Sequence, residues 1–124
     1  MTPQELYDQI GGDYNEALGR MRMDKLIGKL IVKFLDDTSC PDLMRCWAEG
    51  DETGAFNAAH TAKGVCMNLA LPRLAAPADM VTEALRPGNE GMRAQVDIDG
   101  LVHDIEAVYQ ETVAGIKAYA ENPE

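Results

Sequence analysis

Apolar residues recur at spacings of three and four along most of the chain, which is the pattern of helices with one buried face. The clearest case spans positions 24–36, where polar residues occupy the other side of the helix. A second long pattern runs from about position 98 to 119. No segment shows the period-two alternation of a half-buried strand. The pattern therefore predicts an all-α protein; the apolar positions of the first case are Leu26, Ile27, Leu30, Ile31, Phe34 and Leu35.

Cap and turn residues mark where the helices in the first half of the chain begin. Positions 2–5 read Thr-Pro-Gln-Glu, the form of a capping box with proline at the first helical position. Positions 13–16 offer the same spacing with an acidic cap, and Gly11-Gly12 separates the two short helices. Another helix is expected to restart near Ser39 and to end near Gly50.

The second half of the chain is divided in the same way. Asp51 can cap a helix that continues to about Leu71. Pro72 and Pro77 follow, so the next helix, around positions 80–85, is expected to begin late or to be kinked. Positions 86–91 read as a loop, and a long helix follows Asp97 or Asp99.

These elements fit one domain spanning residues 1–124. The connections are short, which favours an antiparallel up-and-down four-helix bundle with a short N-terminal helical extension. The core of the bundle is expected to cover about positions 22–120. The chain contains 46% hydrophobic residues but only 6% aromatic ones, so aliphatic residues and methionine must fill the core.

Charge and cysteine content limit the classes of partner. The chain has 11 basic and 21 acidic residues, a formal charge of −10, which opposes binding to nucleic acid or to an anionic membrane. Its three cysteines do not form a C-x-x-C pair and follow no secretory signal, which favours a reducing cytoplasm. We expect a free-standing cytoplasmic monomer that binds another protein.

His60 is the centre of the one segment with a chemical pattern. A helical wheel places it opposite a stripe of small and medium apolar residues that includes Ala55, Ala62 and Cys66. Lys63 and Gly64 lie one turn further along on the side of His60. Histidine can accept and release a phosphoryl group near neutral pH, and a lysine one turn away can steady the anion. The remaining residues on this side are Phe56, Asn57, Met67 and Leu71.

Gly64 requires a positive reason, because glycine in a helix interior costs about 1 kcal/mol relative to alanine. It lies on the His60 side of the predicted helix, not on the core side. We therefore favour clearance for another molecule over tight packing within the chain.

The run His60-Thr61-Ala62-Lys63-Gly64, followed by Asn68-Leu69, resembles the H-x-x-K-G motif of histidine-containing phosphotransfer (HPt) domains. The preceding Glu49-Gly50-Asp51 is similar to the turn that enters their histidine helix. The likeness extends from about Asp13 to Leu85. The resemblance is specific because the motif lies at the expected place, in a helix of a predicted bundle.

The resemblance implies a phosphorelay intermediate with no kinase or hydrolase activity of its own. His60 would accept a phosphoryl group at Nε2 from a receiver-domain aspartate or a sensor histidine kinase, and would pass it to another receiver. Lys63 would offset negative charge, Gly64 would admit the receiver's loops, and Phe56, Asn57, Met67 and Leu71 would form the docking surface. The chain itself would need no cofactor, because magnesium would belong to the receiver.

The sequence departs from the family at three positions. Family members commonly have glycine where this chain has Ala70. Many also present a glutamine toward the phosphohistidine, and an ungapped count puts Thr82 at that position. Pro77 falls where their helix usually continues. His103, in the last predicted helix, has no lysine three residues on and serves as a control without an expected role.

Two alternatives from other classes stay open. A helical interaction module could dock a receiver or a kinase without transferring phosphate. A metal-binding or redox bundle could use His60, Cys66, His103 and the other cysteines, although no pair of ligands has zinc-finger spacing and Lys63 would repel a cation.

Overall fold

The computed structural model describes residues 1–123, and within them the protein is all-α, which confirms the predicted fold class. Every regular element there is a helix. The helices are α1 (Pro3–Ile10), α2 (Tyr14–Met21), α3 (Asp24–Lys33), α4 (Ser39–Ala48), α5 (Glu52–Asn68), α6 (Pro72–Leu85), α7 (Glu90–Arg93) and α8 (Ile98–Glu121), with a 3₁₀ turn at Phe34–Asp36.

The predicted caps are present at the helix starts. Thr2 and Glu5 form the reciprocal capping box, with Glu5 N–H donating to Thr2 Oγ1 over 3.1 Å and Thr2 N–H donating to Glu5 Oε1 over 2.9 Å. Asp13, Asp51 and Asp97 each accept a hydrogen bond from the backbone N–H three residues on. These bonds satisfy donors that a helix start leaves without partners.

Two expected boundaries are wrong. Of the two possibilities expected for α6, the late start is wrong, and the kink stays a prediction. The helix begins directly at Pro72, because proline at a first helical position lacks only a donor that would have no partner there. The helix then continues through Pro77. The expected loop at 86–91 also ends early, because Glu90 begins the short helix α7.

The larger helices pack around the inner face of α5. α4 and α6 each pack against α5, and α8 packs against both α4 and α6. The buried residues of α5 are Ala55, Ala59, Ala62 and Cys66, whose small side chains allow close approach of neighbouring helices. The predicted apolar stripe is therefore the buried face of the helix that carries His60.

The N-terminal helices brace the far end of α5. The buried hydroxyl of Tyr7 donates to the Leu69 carbonyl over 2.7 Å, and Asp13 N–H donates to the Ala70 carbonyl over 2.9 Å. Leu6, Tyr7 and Ile10 of α1 belong to the same hydrophobic core as the larger helices. No helix among residues 1–123 is both long and apolar enough to cross a membrane.

Candidate functional site

The helix that carries His60 has well-defined ends. Gly50 has a φ of +76°, a left-handed conformation that suits glycine, and Asp51 then caps α5 through Gly54 N–H at 2.9 Å. This agrees with the turn expected at Glu49-Gly50-Asp51. A stable cap and a buried inner face fix which residues α5 turns outward.

A Schellman motif closes the other end of α5. Leu71 N–H donates to the Cys66 carbonyl over 2.8 Å, and Ala70 N–H donates to the Met67 carbonyl over 3.1 Å. Ala70 has a φ of +56°, a conformation in which alanine is strained and glycine is not. Glycine at position 70 would suit the observed backbone.

His60 is exposed in the middle of α5, on the side opposite the core, as the wheel predicts. Its ring stacks on Phe56, with 6.3 Å between ring centroids and 11° between ring planes. Within residues 1–123, no hydrogen bond occupies either nitrogen of the ring. The imidazole therefore has a defined neighbour on one side and nitrogens that remain accessible.

Lys63 reaches from α5 to α6. Its Nζ lies 2.8 Å from Asp79 Oδ1, and its side chain is 28% exposed. This pairing was missed at the sequence level, because helical spacing within α5 does not reveal the register of α6. Asp79 keeps the ammonium group on the outer surface between the two helices.

Gly64 faces open space. Apart from the adjacent residues and the nearby backbone of α5, no atom would lie within 4 Å of a Cβ atom added at this position. Packing within the chain therefore does not require a glycine.

Arg86 and Glu83 form the border of the site on α6. Arg86 donates to both carboxylate oxygens of Glu83 over 3.0 Å, and its guanidinium carbon lies 5.4 Å from the centre of the Phe56 ring. The hydrogen bonds from Arg86 are the main cause that lowers the pKa of Glu83, and the charges of Lys63 and His60 add to the effect. Phe56 thus lies between the His60 ring and the Arg86–Glu83 ion pair at the end of α6.

A groove of about 440 Å³ lies beside Lys63, between α2, α5 and α6. Met67, one of the predicted docking residues, lines it and is 45% exposed. Asn57 is also exposed but lines a different cavity, next to α4. Phe56 is half-buried, and Leu71, the last of the four predicted docking residues, is buried.

Leu71 is not an exposed docking residue, and its placement on the wheel is wrong. Its side chain is only 4% exposed. The wheel assumed that the helix continues to Leu71, whereas α5 ends at Asn68 and the chain turns inward through Ala70. Leu71 contributes instead to the floor of the groove beside Lys63.

Thr82 does not face the candidate phosphoacceptor. It is fully buried, and its hydroxyl donates to the Ala78 carbonyl over 2.7 Å within α6. The ungapped count is therefore wrong about which residue of α6 lies beside the site. Asp79 and Glu83, three residues before and one residue after, occupy the outer face.

The other candidate ligands lie apart from this site. Cys40, Cys46 and Cys66 are free and buried, and a hydrogen bond with Cys40, together with burial, raises the pKa of the Cys66 thiol. His103 is exposed on α8. Among residues 1–123, no three His, Cys, Asp or Glu side chains converge so that they could hold a metal ion.

Comparisons with known proteins provide no relative. No protein-family model matches the chain, and no curated protein or solved structure is significantly similar to it. The functional argument therefore rests on the residues and geometry of the chain itself.

Proposed function

We propose that this protein is a histidine phosphotransfer intermediate of a two-component phosphorelay, with His60 as the phosphoacceptor. The observation that carries the proposal is the outer face of α5, where an exposed imidazole has a cation one turn away at Lys63 and open space above Gly64. A nucleophile, charge compensation and access for a partner are thus present on one surface.

The transfer follows from the chemistry of imidazole. In the neutral ring, Nδ1 carries the proton and the lone pair of Nε2 attacks the phosphorus of a receiver's aspartyl phosphate. The new N–P bond forms as the P–O bond to the aspartate breaks, and the carboxylate leaves with the electron pair. Attack by a second receiver's aspartate reverses these steps and frees His60. The receiver holds the magnesium ion.

The surroundings of His60 support this role. Lys63 is close enough to the outer surface to approach a phosphoryl group, since its partner Asp79 is itself about half exposed. Phe56 supports one face of the ring, and exposed Met67 extends the surface along α5. Exposed apolar side chains around a polar centre are typical of a surface that receives a partner.

The helix arrangement is also consistent with an HPt domain. We take α4, α5, α6 and α8 as the four helices of an antiparallel bundle, because each packs against the next and α8 closes the ring by packing on α4. The free, buried cysteines fit a reducing cytoplasm, where we place the protein as a monomer.

The test is transfer from a panel of receiver domains that carry a radiolabelled aspartyl phosphate. We expect wild-type protein to gain an acid-labile, base-stable label. The His60→Gln protein should gain none, and His103→Gln should behave as the wild type. Label on His60→Gln, or no labelling of wild type by any receiver, contradicts the proposal.

A second candidate is an interaction module that docks the same partners without transfer. Two carboxylates favour it, because Asp79 engages Lys63 and Glu83 carries a negative charge at the border of the site. Negative groups beside His60 oppose the arrival of a phosphoryl group. Under this alternative, a receiver binds wild type and His60→Gln equally well, and neither protein becomes labelled.

A further inference from the structure

Basic side chains without an acidic partner are concentrated in one part of the chain. Of the 11 lysines and arginines, six form ion pairs: Arg20, Arg45, Lys63, Arg73, Arg86 and Arg93. Within residues 1–123, none of the other five forms an ion pair, although Asp24 lies in the same segment as four of them. Four of these five lie in positions 22–33, and the fifth is Lys117. In a chain with a net charge of −10, such an unneutralised basic segment is unexpected.

The three lysines of this segment lie along one ridge of α3. Lys25, Lys29 and Lys33 are four residues apart on α3, so about 6 Å separates each from the next along the helix axis. All three are exposed, whereas Ile27 and Ile31 face the core. We call these three residues the lysine row.

Exposed apolar groups accompany the lysine row. Met23 is 59% exposed and Leu26 is 37% exposed, and they are two of the four large hydrophobic side chains that are exposed in residues 1–123. A surface that combines unpaired charge of one sign with exposed apolar groups is typical of a protein-binding site.

The lysine row also borders a groove. A cavity of about 620 Å³ lies between α3, the start of α1 and the C-terminal part of α8, and all three lysines line it. Its other walls are mainly apolar and are formed by Pro3, Asp24, Gly28, Val32, Tyr119, Ala120 and Pro123. Asp24, the one acidic residue among them, accepts a hydrogen bond from the Tyr14 hydroxyl. The groove therefore has a largely apolar floor and an edge that carries three lysines and one carboxylate.

This groove is separate from the His60 surface. α3 packs mainly against α1, α2 and α8, not against α5. The groove shares no lining residue with the one beside Lys63. Binding in this groove is therefore independent of phosphotransfer by His60.

We propose that the groove along the lysine row binds an acidic amphipathic helix of a partner protein. Acidic residues four apart on such a helix repeat about every 6 Å along its axis, which matches the rise between successive lysines of the row. Apolar residues on the adjacent face of the same helix would enter the groove and cover Val32, Gly28 and Tyr119.

The shape and charge of the chain favour this occupant over two others. A flat bilayer cannot fill a recess between two helices, and the overall charge of −10 repels an anionic membrane at long range. A second copy of the chain carries the same net charge, which opposes self-association. A short acidic helix carries far fewer charges than either, so its long-range repulsion is weaker, and it is narrow enough to enter the recess.

The test uses a fluorescent synthetic peptide with glutamate at every fourth position and leucine on the adjacent helical face. A peptide of the same composition in scrambled order is the reference, and binding is followed by fluorescence anisotropy at low and physiological salt. We expect wild type to bind the designed peptide about tenfold more tightly than the scrambled one, with an affinity that falls as salt rises.

Two triple variants with the same change in charge distinguish the groove from general charge effects. Replacing the lysine row by glutamine should weaken binding about tenfold or more, whereas R20Q/R45Q/K117Q should bind within about twofold of wild type. The replaced side chains are exposed, so circular dichroism should show unchanged helix content for both triple variants. K29Q alone should weaken binding less than replacement of all three lysines.

Several results would overturn the proposal. They are equal affinity for the designed and scrambled peptides, equal loss in the two triple variants, and full binding by the variant without the lysine row. Sedimentation of wild type as a dimer that the lysine replacements dissociate would assign the groove to a second copy. Binding to phosphatidylserine vesicles without binding to the peptide would assign it to a membrane.

Discussion

The two histidines of this protein occupy similar positions but have opposite surroundings. Both are exposed in the interior of a long helix, His60 on α5 and His103 on α8. Four residues before His60 is an aromatic ring, and the third and fourth residues after it are a lysine and a glycine. At the same offsets from His103 are Asp99, Glu106 and Ala107.

Under the proposed function, the helical neighbours rather than the exposure of the two histidines would decide which of them accepts a phosphoryl group. A phosphoryl group on His60 would meet a cation and an open approach. On His103 it would meet carboxylates on both adjacent turns, and like charges at such distances are unfavourable. The following predictions exchange or remove these neighbours.

The largest effect is expected from filling the space above Gly64. Gly64→Gln should slow transfer from a phosphorylated receiver by about 100-fold, because a misplacement of even 1 Å at a reacting centre has consequences of that order. Stability should stay equal or rise slightly, since glutamine is a better helix former and meets no atom there. Ala107→Gln, at the same offset from His103, is the control and should leave the transfer rate unchanged. A normal rate for Gly64→Gln would refute the clearance role.

Removing the cation should have the next largest effect. Lys63→Ala should slow transfer by about tenfold, because a partly exposed charge stabilises the phosphoryl transition state less than a buried one does. Unfolding in urea should change little, as both members of the pair with Asp79 are partly exposed to water. Glu106→Ala provides the matching change beside His103. If both variants transfer at the wild-type rate, the cation is not the feature that distinguishes the two histidines.

The anchor at the end of α5 should affect stability more than chemistry. Tyr7→Phe removes the hydroxyl that donates to the Leu69 carbonyl inside the protein. Loss of one buried hydrogen bond should lower the free energy of unfolding by about 1–2 kcal/mol. Tyr109→Phe is the control, since within residues 1–123 the Tyr109 hydroxyl makes no hydrogen bond. Equal denaturation midpoints for the two variants would show that α1 does not brace α5.

Replacing alanine by glycine should change the free energy of unfolding in opposite directions at Ala70 on the α5 side and at Ala107 beside His103. Ala70→Gly should raise the free energy of unfolding by about 1 kcal/mol, because Ala70 adopts a left-handed conformation. Ala107→Gly, inside α8, should lower it by about the same amount through loss of helix propensity. Thermal or urea unfolding measures both. A loss of stability in Ala70→Gly would contradict the Schellman geometry at the end of α5.

The smallest effect concerns pH. Arg86 lowers the pKa of Glu83 below its usual value of 4.5, so the unfolded state binds more protons. The stabilisation is present above that value and is lost as the pH falls through the lowered pKa of the folded state. The melting temperature of wild type should therefore fall slightly more between pH 5 and about pH 3 than that of Glu83→Gln. Parallel curves would show that Glu83 and Arg86 do not interact in solution.

The local features of the site could be predicted from the sequence, because they depend on one helix at a time. The cap at Asp51, the buried alanine stripe and the exposure of His60 and Gly64 follow from a periodicity of 3.6 residues. The errors arise where one helix meets another or where a helix ends. Leu71 was assigned to a helix that stops at Asn68.

The register between α5 and α6 could not be predicted from the sequence. An ungapped count selected Thr82, whereas Asp79 contacts Lys63. Small residues such as Ala55 and Ala62 specify close packing but are compatible with several registers. Only the three-dimensional arrangement shows which acidic residues of α6 lie beside the candidate site.

Phosphorus NMR tests the central claim most directly. Wild-type protein is equilibrated with acetyl phosphate and a catalytic amount of a receiver domain, and the spectrum is compared with those of His60→Gln and His103→Gln. We predict one phosphoramidate resonance in wild type and His103→Gln that disappears on acidification, and none in His60→Gln. A phosphoramidate resonance that persists in His60→Gln, or its absence from wild type, would contradict the assignment of His60 as the phosphoacceptor.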